Sequence, residues 1–206
     1  MSTYPIPAGS HQYEFDIKRS RFICFVGQAQ SRPQAEDFIR DLRRQHPQAA
    51  HVCWAYIAGA PDTTVMSMSD DGEPSGTAGR PMLNVLLHSG LGEIAVAVVR
   101  YFGGIKLGTG GLQRAYSDAV TGALKDLPTR LRVPRSALML TFDYALESQV
   151  RHILGQFDTD NEQIDYGQQV SVRLNIAQND QQACIQMLTN QSAGTIQIQL
   201  PDPTPY

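Results

Sequence analysis

Between Leu138 and Leu200 the apolar residues change period in an order that few folds accept. Leu138, Leu140, Phe142 and Tyr144 alternate with Met139, Thr141 and Asp143, the pattern of a half-buried strand. Leu146, Val150, Ile153, Leu154 and Phe157 then recur at helical spacing. The turn-rich stretch DTDNEQ leads to two strands that meet near Gly167. The second places Val170, Val172, Leu174 and Ile176 on one face, with Ser171, Arg173 and Asn175 on the other. A helix from about Asp180 buries Cys184, Met187 and Leu188 and stops near Gly194. A last strand alternates Ile196, Ile198 and Leu200 with Gln197 and Gln199. Every strand is apolar on one side only, so βαββαβ predicts two helices over one face of an antiparallel sheet, a ferredoxin-like sandwich. RNA-recognition modules share that fold and stack bases on aromatic residues of the central strands. Ser171, Arg173 and Asn175 offer no ring, which argues against base stacking on this sheet.

The preceding residues form a longer, less regular unit. Residues 12–17 and 20–28 read as a hairpin, and a helix starting at Ser31, with Gln34 completing a capping box, buries Ala35, Phe38, Ile39 and Leu42. Val52–Ala58 is a buried strand, followed by a loop spanning roughly residues 60–76, of a length that is usually functional or mobile. A helix around Pro81–His88, a strand Ile94–Tyr101, a glycine-rich turn and a helix from Gly110 to about Leu127 complete the unit. Prolines and arginines in LPTRLRVP, residues 127–134, interrupt both patterns. The expected organisation is α+β in two domains, 1–132 and 133–206.

The turn lies in RYFGGIKLGTGGLQRAY, with five glycines between Gly103 and Gly111. A P-loop requires GxxxxGK[ST], but Thr109 stands where lysine should follow Gly108. The dinucleotide fingerprint GxGxxG fits Gly108 and Gly110 and fails at Gln113. What remains is a strand, a glycine turn and a helix start, with Thr109 as the expected N-cap. Free N–H groups and the partial positive charge of a helix start favour anions. Gly103, Gly104, Gly108, Gly110 and Gly111 would let backbone donors approach a ligand, with Arg80, Arg100, Lys106 and Arg114 as the cations. Lys18, Arg19 and Arg21 form a second basic cluster that suits either phosphate contact or a charged hairpin turn.

Asp70, Asp71 and Glu73, in SDDGEPSGTAGRPM, form a candidate ligand loop, but their spacing is not that of a calcium-binding loop. An exposed acidic turn before a helix is favoured over a metal site, and no metal or cofactor is expected. His51 and Cys53 project to the same side of their strand, yet VCWAY reads as core, so Cys53 is expected buried and inert. No catalytic constellation emerges. The three cysteines lack a CxxC pair, no apolar run is long enough to span a bilayer, and MSTYPIPAGSHQYEF does not read as a secretory signal. A cytoplasmic protein with no membrane contact is expected. Net charge is −3 overall but uneven. Up to Arg135, 15 Lys and Arg face 12 Asp and Glu; from Ser136 onward, 2 face 8.

KRSRF, AHVCWAY, SDDGEPSGTAGRPML and VVRYFGGIKLGTGGLQRAY together closely resemble the YigZ/IMPACT family. The resemblance covers most of the first domain, and the second resembles the extra domain of bacterial members. It implies a first domain folded like the second domain of a small-subunit ribosomal protein, and a pair of domains like the last two of elongation factor G. Eukaryotic relatives modulate translation initiation through a ribosome-associated activator, using a further N-terminal domain to which nothing here corresponds. The resemblance therefore implies a non-enzymatic role in contact with RNA, the ribosome or the translation machinery, and in regulating translation. The alternatives are an enzyme acting on a phosphorylated small molecule, with Asp70, Asp71 or Glu73 as its carboxylates, and a protein-interaction module using the acidic second domain.

Overall fold

IAVAVVRY, residues 94–101, is apolar at seven buried positions in a row except for its arginine, because this strand is the middle of three layers. The computed structural model describes residues 3–201; residues 1–2 and 202–206, the outer ends of the two expected domains, lie outside the described residues. The described chain divides into two compact units, Tyr4–Arg132 and a second from Val133 onward.

The first unit runs β1 (Tyr4–Pro7), β2 (His11–Ile17), β3 (Ser20–Gln28), α1 (Arg32–Gln45), β4 (His51–Ile57), β5 (Met66–Ser69), α2 (Gly79–Ser89), β6 (Ile94–Tyr101), α3 (Thr109–Lys125) and β7 (Thr129–Arg132). Five strands form a sheet in the order β2-β3-β6-β4-β5, every neighbouring pair antiparallel. Period two then sorts the side chains of β6 between two cores. Ile94, Val96 and Val98 join Met82, Leu86, Leu112, Tyr116 and Ala119 beneath α2 and α3. Ala95 packs with Ala35 and Ile39 of α1, and Ala97 and Val99 with Leu42 of the same helix.

Three sequence expectations are corrected in this unit. Ser31 occupies the N-cap of α1, but its side chain caps nothing; Gln34 Oε1 instead accepts the Gln30 N–H at 2.8 Å. The expected loop 60–76 contains β5, a four-residue strand paired with β4 along Trp54–Ile57. It was hidden because MSMS is short and only half-buried, so it carries no clear apolar period. The stretch 127–134, expected to interrupt both patterns at the domain boundary, contains β7, which pairs with β1 in a separate two-stranded sheet. Buried Glu93 ties that sheet down: it accepts from Tyr4 Oη at 3.2 Å and Gln28 Nε2 at 2.8 Å, and pairs with Arg132 Nε at 3.0 Å.

The second unit runs β8 (Arg135–Phe142), α4 (Glu147–Leu154), β9 (Thr159–Tyr166), β10 (Val170–Ala177), α5 (Gln178–Gln191) and β11 (Gln197–Gln199). The sheet order β11-β8-β10-β9, antiparallel throughout, is the ferredoxin-like arrangement the alternation predicts. Leu138, Leu140, Phe142, Val172, Leu174 and Ile176 meet Val150, Ile153, Cys184 and Leu188 of the two helices. DTDNEQ, expected as a turn, is largely the start of β9. An edge strand with exposed polar side chains shows no apolar period, and Asn161, at φ +52°, lies where the register slips against Arg173–Asn175.

Candidate functional site

At the end of the first unit's sheet where β6 leaves the core, a buried polar cluster replaces apolar packing. Arg100, 4% exposed, donates from Nη1 to Glu73 Oε1 at 2.6 Å and from Nη2 to Ser20 Oγ at 3.4 Å. The Tyr116 hydroxyl donates to the same Glu73 oxygen at 2.8 Å, and Cys53 Sγ lies 3.3 Å from that hydroxyl. Arg100 also sits over the rings of Phe22 and Phe102, its guanidinium carbon 5.3 and 5.4 Å from their centroids. Burial, with Cys53 and Glu73 beside it, pushes the Tyr116 hydroxyl well above its ordinary range, so it stays protonated and can donate. His51 turns Nδ1 to the Asp71 carbonyl at 2.8 Å. A carbonyl only accepts, so Nδ1 carries the proton, and the opposite Nε2 lies 4.0 Å from Glu73 Oε2.

The three acidic residues between β5 and α2 take three different structural positions. Asp70 caps α2, accepting backbone N–H groups of Gly76, Ala78 and Gly79 at 2.8–2.9 Å. Partial burial acts to raise its carboxyl, but these three donors hold it below the ordinary value. Asp71 accepts the Val52 N–H at 2.7 Å and pairs with Arg43 of α1, bracing β4. Glu73 turns inward to Arg100. The expected ligand loop is thus a folded brace, and among the described residues no three His, Cys, Asp or Glu side chains gather to hold a metal.

The glycine turn has one forced approach and one open end. A Cβ on Gly103 would fall 1.9 Å from the Arg19 carbonyl oxygen, and the Gly103 N–H reaches Ser20 Oγ at 3.3 Å. The turn is therefore folded against the hairpin tip of Lys18 and Arg19. Gly108, not Thr109, is the N-cap of α3; it sits at φ +77°, and no side chain caps the helix. The first intrahelical bond runs from the Leu112 N–H to the Gly108 carbonyl, leaving the N–H groups of Thr109, Gly110 and Gly111 open.

The expected cations part company here. Arg100 is a buried, paired group. Arg21 is engaged with Glu14 at 2.6 Å, and Lys18 and Arg19 form the left-handed tip of the β2–β3 hairpin. Lys106, with His51, Glu73, Arg100, Phe102 and Thr109, lines a cleft of about 420 Å³ beneath the start of α3. Arg80 and Arg114, exposed and without an acidic partner among the described residues, line a separate groove of about 940 Å³ between α2 and α3. Asn84 and His88 of α2 and Gln113 of α3 are among its other polar lining residues. Residues 106–109 thus border the cleft and Gly110 the groove.

His51, Ser20, Phe102 and Tyr116 were not among the expected site residues, although all four surround Arg100. Tyr116 did leave a signal. It interrupts a stripe of alanine, leucine and valine on α3, and a fully buried tyrosine hydroxyl requires a partner.

Two family models match the chain: the Impact N-terminal domain over residues 18–124 and a domain of unknown function, DUF1949, over 140–195. An IMPACT family member of Haemophilus influenzae is 39% identical over 201 residues, covering 97% of this chain and 98% of that protein. This chain belongs to the IMPACT family. Among other members, YigZ of Escherichia coli is 44% identical over 159 residues, covering 77% of this chain and 78% of its own, and YvyE of Bacillus subtilis is 35% identical over 187, covering 91% and 85%. The crystal structure of a hypothetical protein, 38% identical, superposes with a TM-score of 0.71 over 99% of this chain and all of that one. The first family model runs from the Lys18 hairpin tip to α3, so the buried cluster and both recesses fall inside the IMPACT domain. Among the described residues, no helix is long and apolar enough to cross a membrane.

Proposed function

We propose that this IMPACT family member is an RNA-associated protein of the translation machinery that holds the phosphate backbone of single-stranded RNA in the groove between α2 and α3. The observation that carries this reading is the pairing of Arg80 on α2 with Arg114 on α3 across one groove, with no acidic partner for either among the described residues. Guanidinium groups without carboxylate partners are free to take bidentate phosphate contacts. Gly110, whose N–H is open at the start of α3, lines the same groove and adds a donor of the same polarity. The groove offers no Phe, Tyr or Trp ring, so the contact is directed mainly at the backbone. An enzyme using Asp70, Asp71 or Glu73 is less well supported, because each carboxylate is already held by backbone or cationic partners.

The test is binding of a fluorescent single-stranded RNA to the full chain at several salt concentrations. Arg80→Glu with Arg114→Glu is expected to weaken binding by more than about tenfold and to flatten the salt dependence, since two phosphate contacts are lost. Unchanged affinity of this double variant at low salt would overturn the assignment.

A further inference from the structure

The second recess differs from the groove in having a buried donor with nothing to donate to. Arg100 Nη1 and Nη2 are taken by Glu73 and Ser20, yet the buried Nε has no hydrogen-bond partner. Leaving such a buried donor unmet is costly, so a ligand that meets it gains. The same cleft is bordered by the uncapped start of α3 and by Lys106, which has no partner among the described residues. Glu73 contributes the opposing charge, but Arg100 neutralises it directly, leaving Lys106 and the helix start as the uncompensated positive field.

The remaining wall is chemically distinct. Phe102 is 51% exposed and backed on one side by the Arg100 guanidinium, so its ring is available to a flat partner. Leu107 and Leu112 are apolar, and His51, its Nδ1 engaged by the Asp71 carbonyl, adds a polar edge to the cleft. A volume of about 420 Å³ falls within the range of small-ligand sites.

We infer that this cleft binds a 5′-monophosphorylated nucleotide, with its phosphate on the α3 start, Lys106 and Arg100, and its base against Phe102. Of the open amides only that of Thr109 borders this cleft, and with the Lys106 ammonium and the helix start it offers more charge-assisted donors than a carboxylate would use, which suits a phosphomonoester. The ligand has two sources of identical chemistry: a free nucleoside monophosphate, or the 5′-phosphorylated end of an RNA whose backbone continues elsewhere. Only the second rests on the RNA reading above.

The experiment titrates the full chain with four probes: AMP, adenosine, and one short RNA carrying either a 5′-phosphate or a 5′-hydroxyl. At least about tenfold tighter binding of the phosphorylated member of either pair is expected, the discrimination of a few charge-assisted hydrogen bonds. Lys106→Glu and Phe102→Ser alter exposed side chains and should erase that preference while circular dichroism stays unchanged; an Arg100 variant risks unfolding and is not needed. A preference for AMP alone identifies a free nucleotide, and a preference in the RNA pair identifies an RNA end. Should RNA fail to bind at all while AMP still outcompetes adenosine, the backbone reading falls and this one stands. Equal binding within both pairs overturns the nucleotide site, whatever the RNA affinity.

Discussion

Arg100 Nη1 lies 2.6 Å from Glu73 Oε1, and the two side chains are 5% and 3% exposed. Removing charges from water is costly, and a buried pair is tolerated only where its remaining hydrogen bonds are met. Here Tyr116 and Ser20 supply all of them but that of Arg100 Nε, and Phe22 and Phe102 receive the guanidinium. Glu73→Ala leaves the Arg100 charge buried and unpaired, so it should lower unfolding stability by about 3–5 kcal/mol. Adding Arg100→Met to that variant should recover part of the loss, because the orphaned charge goes too. Urea unfolding of the single and double variants checks this, and a double variant less stable than Glu73→Ala alone would contradict it.

That pair also marks where the sequence stopped being informative. The alternations in 138–200 and the apolar stripe of α3 reported burial, and burial decides most of this fold. β5, β7 and the start of β9 stayed hidden because their side chains are largely exposed or half-buried; only hydrogen bonds to a distant neighbour make them strands. The site was legible in part. Gly108, Gly110 and Lys106 border recesses while Gly103, Gly104 and Gly111 do not, and Arg100 and Glu73, 27 positions apart, carried no local sign that they would find each other in the core. Charge identifies residue type, and only long-range pairing says whether the charge is spent.

Asp70 provides a prediction with a pH signature. Its carboxylate accepts three backbone N–H groups at the start of α2, and Asp70→Ala should cost about 1–2 kcal/mol, the usual range for a lost cap. Its folded pKa is depressed below 3.8, so its contribution is present above the unfolded pKa and is lost as pH falls through the folded one. The stability gap between wild type and Asp70→Ala should thus be full at pH 7 and shrink steadily below about pH 4. A gap independent of pH down to acid unfolding would rule out the charged cap as its source.

Two glycines of the turn should behave differently. A methyl group on Gly103 meets the Arg19 carbonyl at 1.9 Å, a backbone atom that cannot move without shifting the hairpin tip. Gly104 has nothing within 4 Å of that position, and only its φ of +86° resists substitution. Gly104→Ala should cost about 1 kcal/mol from the left-handed conformation, and Gly103→Ala clearly more. Thermal unfolding of the two variants ranks them, and equal loss would mean that the Arg19 contact is not a constraint.

The cysteines test the packing of both cores at once. Burial pushes the Cys53 thiol up to about 12, helped by the charges of Glu73, Asp71 and Asp70 and opposed by the Tyr116 hydroxyl. Burial likewise raises Cys184 to about 11 and lifts Cys24 further still. The thiolate is the reactive form, so at pH 8 only about one Cys53 in ten thousand is ionised. All three thiols should therefore resist alkylation in the native protein and react together once urea unfolds it. The order of residual native reactivity should be Cys184 before Cys53 before Cys24, readable by mass spectrometry of partly labelled chains. Rapid native labelling of Cys53 would show that water and base reach the Tyr116 hydroxyl, and the sealed arrangement around Glu73 would then have to be abandoned.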